Sequence, residues 1–271
     1  DNDGEVYYFA GNPTDNWVYF GGFYWRIIRI NGNGSIRMIY QGTSANTTGT
    51  GTQINSSNYV FNTLANDNMY VGYMYTSGQV HGLGTNSNIK TTIDNWYTSS
   101  GLSNYADKID GNVGFCGDRT PYTNTSGTIS GGGTGTTTTY YGGYVRLFGS
   151  NKMPTFECTS DSDLYTTDGS RQGNGVLTYP IGLISLDEAW YAGGHTSSNQ
   201  SYYLYTGQNY WTMTPNNYEM VARVFIINSA GYFFSNTNVL DTNDGIRPVI
   251  NLKADLTITG SGTTTDPYVV N

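Results

Sequence analysis

Apolar residues in this chain recur at every second position and in short runs, a spacing that predicts strands more often than helices. Val6 to Phe9 and Trp17 to Phe20 are short aromatic runs separated by GNPTDN, whose Asn12, Pro13 and Asn16 are turn formers. Phe23 to Ile30 (FYWRIIRI) and Ser35 to Tyr40 (SIRMIY) flank Asn31-Gly32-Asn33-Gly34, where Asn and Gly accept the positive φ of a tight hairpin. Arginine alternates with apolar residues along both strands. Arg26, Ile28 and Ile30 share one face, Ile27 and Arg29 the other, and Arg37 opposes Ile36 and Met38. That pattern predicts a sheet buried on one face and partly covered on the second. In MYVGYMY the alternation of Met69, Val71, Tyr73 and Tyr75 predicts a further strand.

The period changes at Asn88. Ile89, Ile93, Trp96 and Tyr97 fall on one helical face, Ser87 is placed to cap the start and Gly101 to stop it, and Leu102 to Ile109 adds a short turn. A second helix begins near Ser185, where Ser185-Leu186-Asp187-Glu188 has the form of a capping box; YPIGLIS before it predicts a strand, and Gly193-Gly194 ends it. Thr43 to Thr52 and the Thr/Gly run Thr123 to Thr139 carry no periodicity and are expected as loops. Beyond them Tyr210 to Thr212 predicts a strand leading to Pro215, Ala222 to Ile227 a second, and Gly231 to Phe233 the start of a third, joined through an Asn228 to Gly231 hairpin. Gly245 to Leu252 predicts a fourth, with Pro248 where no ladder hydrogen bond is needed from its nitrogen. The expected fold class is α+β: twisted antiparallel sheets, two main helices and long Thr/Gly-rich loops, in a single domain over residues 1–271 with 253–271 as a C-terminal strand extension.

Composition narrows the function classes. Only 12% of the 271 residues are charged, while aromatics reach 15%, enough large side chains for a core and not a disordered profile. A net charge of -8 with 12 Lys plus Arg and no basic run makes a poor phosphate-backbone binder, which excludes nucleic acid as the expected partner. No apolar run approaches the roughly 20 residues of a membrane span. The chain opens on DNDGEVYYFAG and not on a signal sequence, so a targeting segment is expected to have been cleaved or to lie outside this stretch. The two cysteines, Cys116 and Cys158, fit no metal or CxxC spacing; the composition suits one extracellular disulfide, and two separate buried thiols are the alternative.

The densest candidate surface is Tyr210 to Leu252. If Ala222, Val224 and Phe233 face the core, then Arg223, Phe225, Phe234, Asn236 and Asn238 cover the outside, where aromatic area and amide groups suit binding. The alternative is that the aromatics fill a second core layer.

An ordered series of motifs carries a resemblance over essentially the whole chain: YYFAG, NWVYFGGFYWRIIRINGNGSIRMIY, FCGDRT, FECTSDSDLYT, LTYPIGLISLDEAWYAGG, YYLYTGQNYWTMTP and GIRPVINLKADLTITGSGTTTDPYVV. These resemble a group of uncharacterised surface domains of Gram-positive bacteria with a C-type-lectin-like fold, akin to the variable domains of retroelement-diversified proteins. The resemblance implies a ligand-facing set of Asn216, Asn217, Tyr218, Glu219, Met220, Arg223, Phe225, Ile226, Phe234, Asn236, Asn238, Asp241 and Asn243, with Trp211, Gly231, Arg247 and Pro248 as scaffold. It also supports pairing Cys116 with Cys158, and an extracellular location at the bacterial cell surface.

A calcium-sugar site is not expected. Thr214-Pro215-Asn216 lacks the carboxylate of the Glu-Pro-Asn and Gln-Pro-Asp motifs, and no Trp-Asn-Asp follows. Asp161-Ser162-Asp163 is expected as a solvated acidic loop without a bound metal. The same broad fold includes the formylglycine-generating oxidases, but their chemistry uses reactive cysteines to bind copper. His81 and His195 sit in polar loops with no Gly-x-Ser-x-Gly elbow and read as exposed loop residues. The expected function is therefore a non-catalytic binding or adhesion domain, without cofactor, for a protein or glycan on another cell or surface. A structural subunit of an extracellular filament or surface layer is the alternative. Asn46, Asn124 and Asn199 open Asn-x-Ser/Thr sequences that matter only in a glycosylating host.

Overall fold

The computed structural model describes residues 1–55, 59–122, 131–149 and 152–270. Asn124 and residues 123–130 of the expected Thr/Gly loop lie outside them. The main elements in chain order are β1 (Tyr7–Tyr8), β2 (Trp17–Phe20), β3 (Phe23–Ile30), β4 (Ile36–Gly42), α1 (Asn88–Ser99), α2 (Gly142–Phe148), α3 (Leu186–Tyr191), β5 (Tyr210–Glu219), β6 (Val221–Ile227), β7 (Phe233–Phe234), β8 (Val249–Leu252), β9 (Ile258–Thr259) and β10 (Tyr268–Val270). The fold is mixed α+β and mostly sheet.

A seven-stranded sheet runs β8-β4-β3-β2-β10-β9, with β1 pairing β3. Its centre is the predicted hairpin, in which Ile30 faces Ile36 and Ile27 faces Met38. The ladder shifts register between Ile27 and Arg29, a bulge that re-aims the arginine. Arg26, Arg29 and Arg37 are all buried, so the second face of this sheet is closed over, not partly covered. The closing elements supply partners for each guanidinium, which is why charged residues are tolerated there. β10 pairs β2 in parallel, the one parallel ladder of this sheet among the described strands.

A second sheet of four strands runs β7-β6-β5 and ends on Thr139–Tyr140. The strand predicted to stop near Pro215 continues through it to Glu219. Register shifts on either side of Pro215 leave its missing N–H outside the ladder, and Thr212 Oγ1 donates to Phe225 O at 2.8 Å beside it. Trp25 and Trp211 are fully buried in the hydrophobic core, which includes residues from both sheets and the helices.

α1 starts and stops as its sequence predicts: Ser87 Oγ accepts from Lys90 N at 3.2 Å, and Gly101 follows at φ 83°. Its inner face carries Ile89, Ile93 and Tyr97, and also a buried Lys90–Asp94 pair at 2.5 Å one turn apart. The capping box of α3 forms completely, Ser185 Oγ accepting from Glu188 N at 3.1 Å and Glu188 Oε2 accepting from Ser185 N at 2.9 Å.

Four expectations are corrected. A third α-helix, α2, forms where GGYVRLF opens on two glycines and shows no start signal; Leu147 packs inward and Arg146 ties it to two carboxylates. MYVGYMY splits into a 3-10 turn, Asn68–Val71, and a two-residue strand, Met74–Tyr75, because Asp67 accepts from Met69 N and caps the turn. YPIGLIS is a buried extended segment joined to β8 only by the Gly182–Val249 bridge. The last predicted strand is regular only from Val249; Gly245 and Ile246 make isolated bridges to Tyr210 and Asn55. Cys116 and Cys158 form a disulfide with Cα atoms 5.5 Å apart.

Candidate functional site

β5 and β6 form a ribbon whose inner length is closed to solvent and whose tip is not. Glu219 pairs with Val221, so Met220 alone turns the chain, at φ 66° and 86% exposed. A positive φ is strained for a residue with a Cβ and an unbranched side chain, and the adjoining ladder holds it in place.

The structure divides the expected ligand-facing set. Asn216, Asn217, Tyr218, Phe225 and Ile226 are buried, which corrects their expected outward placement. Asn216 donates through Nδ2 to Ser235 O, and Phe225 stacks on Phe148 of α2 with centroids 5.1 Å apart. The unpredicted helix is the physical reason for Phe225, whose face of β6 it covers; Ile226 shares the inner face of Ala222 and Val224, and Asn217 and Tyr218 pair with the strand Thr139–Tyr140. Asn216 to Tyr218 are ladder residues of β5 and not a loop.

Glu219, Met220, Phe234, Asn236 and Asn243 are exposed, and Arg223, Asn238 and Asp241 are half-buried. Arg223 Nη1 donates to Glu219 O at 3.4 Å, and Arg223 bridges in the ladder to Asn238. Asn238 and Asp241 hold the neighbouring loop, Asn238 Oδ1 accepting from Leu240 N at 3.0 Å and Asp241 Oδ1 from Asn243 N at 3.0 Å. Leu240, 42% exposed, sits between them and was not singled out from the sequence, where its flanking Asn and Asp gave only a turn signal. Trp211, Gly231, Arg247 and Pro248 are buried. At Gly231, φ is 79° and a Cβ would fall 1.9 Å from Asn199 O, so no other residue fits without movement.

Asp244 sits under this surface, 3% exposed, and neither carboxylate oxygen has a hydrogen-bond partner among the described residues. Burial, and then the charge of Asp241, push its carboxyl up to about 7; the nearby Asn209 side chain offsets part of this without a well-directed hydrogen bond.

Two buried charge networks lie elsewhere. Glu188 pairs with Arg37 and lies 3.6 Å from Arg29. Burial opposes its charge, yet Arg37, Arg29 and the Ser185 amide hold its carboxyl below the usual range. Beside it Arg146 bridges Asp118 and Asp187, each at 2.7 Å. Burial pushes Asp118 up to about 6 in spite of Arg146. These groups and the disulfide line a cavity of about 40 Å³, room for a water or two and not for a substrate. The second network corrects the reading of TSDSDLYT and of His81. Asp163 is fully buried, accepting from Arg119 N at 2.6 Å and lying 3.0 Å from His81 Nδ1. His81 is thus committed to a carboxylate, while His195 is exposed against Trp190. Asp161 remains exposed. Among the described residues no three His, Cys, Asp or Glu gather as metal ligands would, and no helix is long and apolar enough to cross a membrane.

Comparison with known proteins gives no match to any family model, curated protein or solved structure.

Proposed function

We propose that this chain is a non-catalytic recognition domain of a bacterial surface protein, exposed outside the cell, with a C-type-lectin-like arrangement akin to the variable domains of retroelement-diversified proteins. Its binding face is the tip of the β5–β6 ribbon and the loop beside it: Glu219, Met220, Arg223, Asn236, Asn238 and Asp241. The observation that carries this reading is Met220, an unbranched apolar side chain held almost fully in solvent at a positive φ at the tip of a ladder that is buried over most of its length. A flexible, polarizable anchor ringed by Arg and amide groups suits a protein surface better than a sugar. Calcium has no part in this reading, since the face offers no gathered carboxylates.

The test is an array of cell-surface proteins and glycans, probed with and without chelator. Wild type is expected to bind a protein spot in a chelator-insensitive way. Met220→Ala combined with Arg223→Ala is expected to weaken that binding about 10- to 100-fold with little change in thermal midpoint. Binding to no protein spot, or full retention by the double variant, would refute the assignment.

A subunit of a filament or surface layer remains the second reading, supported by the outer edge of the large sheet. Ile258 of its edge strand β9 is 39% exposed, an apolar side chain on the edge where a neighbour's strand would pair.

A further inference from the structure

Three arginines lie on the first hairpin, and two of them, Arg29 and Arg37, meet Glu188. Arg26 meets no carboxylate among the described residues. It is 6% exposed; its Nε donates to Asn16 Oδ1 at 2.6 Å and its Nη2 to Pro13 O at 2.9 Å, while Nη1 has no hydrogen-bond partner among the described residues. The guanidinium carbon lies 4.3 Å from the Trp17 ring centroid and 5.2 Å from that of Tyr203, so aromatic faces are what hold the charge. Arg247 nearby is likewise bound only to neutral oxygens, those of Tyr40, Leu204 and Gln41. Burial, with Tyr203 opposing and Arg247 adding, pulls Arg26 down to about 10, so it stays charged at neutral pH. A chain with net charge -8 thus keeps two guanidinium groups buried without a countercharge.

Arg26 lines an open cleft of about 350 Å³, within the range of a small-ligand site. Among the described residues no Asp or Glu lines it. Its lining includes Trp17, Tyr202, Tyr203 and Tyr205 together with amide or hydroxyl side chains, Gln200 and Thr48 among them. Buried phenol oxygens of Tyr202 and Tyr203 have no hydrogen-bond partner among the described residues. The loops that form the walls are tied down: Tyr203 N donates to Gly11 O at 2.8 Å, Gln41 Nε2 to Thr47 O at 3.0 Å, and Gly49 N to Thr206 O at 3.0 Å. The cleft is preformed, which lowers the entropy lost on binding.

We infer that this cleft binds a carboxylate-bearing saccharide, a hexuronic acid or a sugar of like charge, with its carboxylate toward Arg26, its hydroxyls on the amide and hydroxyl wall, and an apolar sugar face on Tyr205. Aromatic faces beside groups that both donate and accept match a polyhydroxylated ring, and the uncompensated guanidinium selects an anion. The site is separate from the ribbon tip, and its failure leaves that reading untouched.

Intrinsic tryptophan fluorescence and ligand-observed NMR on the whole chain test it, with methyl β-D-glucuronoside as the probe and methyl β-D-glucoside as the neutral control. A saturable change with a Kd of about a millimolar is expected for the glucuronoside, with at least about 10-fold weaker binding of the glucoside. Arg26→Gln is expected to abolish that preference. Because it disturbs a buried residue, Thr48→Trp serves as a second variant that fills the cleft from an exposed position; it is expected to block binding of both sugars while the thermal midpoint holds. Equal response to the two sugars, no saturable response, or undiminished binding in Thr48→Trp would overturn the assignment.

Discussion

At the scale of single residues, Asp244 is a carboxylate whose environment opposes its charge. An ordinary carboxyl near 3.8 is raised to about 7 in the folded chain. The folded state therefore holds this proton more tightly than the unfolded state, a contribution fully present below about pH 4 and lost as pH rises through 7. Asp244→Asn removes the cost of ionisation. It is expected to raise stability by roughly 2 to 4 kcal/mol at pH 8 and to leave it nearly unchanged at pH 4, as urea unfolding at the two pH values would read; equal effects at both would show that Asp244 ionises freely. Neither this burden nor the cleft at Arg26 is legible in sequence. Both arise from partners that are missing, and spacing cannot show that Arg26 meets Trp17 and Tyr203 while Arg29 and Arg37, on the same hairpin, meet Glu188.

At the scale of elements, local signals read well and faces read poorly. Ser87 with Gly101, Ser185 with Glu188, and the Asn31 to Gly34 turn act within a few residues, and each forms as its chemistry dictates. Phe225 fails as an outward residue because α2, silent in sequence behind two glycines, packs on it. Pro215 fails as a terminator because two register shifts absorb it. The capping box also shows one residue serving two ends. Glu188 closes the first turn of α3 and neutralises Arg29 of β3 and Arg37 of β4, so its loss strands buried charge. Glu188→Ala is expected to cost about 3 to 5 kcal/mol, lowering the thermal midpoint by on the order of 10 °C. Ser185→Ala, which removes the cap alone, is expected to cost about 1 kcal/mol. Calorimetry that found the two losses equal would place Glu188 as a cap only.

At the scale of the whole molecule, the bridge between Cys116 and Cys158 closes a loop of separation 42 that includes α2 and the Thr/Gly run. Chain entropy values such a link at about 4 kcal/mol, so reduction should shift the urea midpoint down by that free energy divided by the unfolding slope. An unchanged midpoint after complete reduction, checked by thiol titration, would mean that packing alone holds the loop. The hydrophobic core continues from sheet to sheet around it, and the binding surfaces proposed above lie on elements anchored in that core.

The parallel ladder between β10 and β2 joins Tyr268 to Val18 and Val269 to Tyr19. Its register is therefore set only once a segment far along the chain from β2 has been made. Until then the outer edge of β2, carrying Val18 and Tyr19, has no strand beside it. Such pairings of high sequence separation fold slowly and leave strand edges open in the interval. A refolding experiment would see the central hairpin form early and the large sheet close late, and the interval between the two is when this molecule is most open to aggregation.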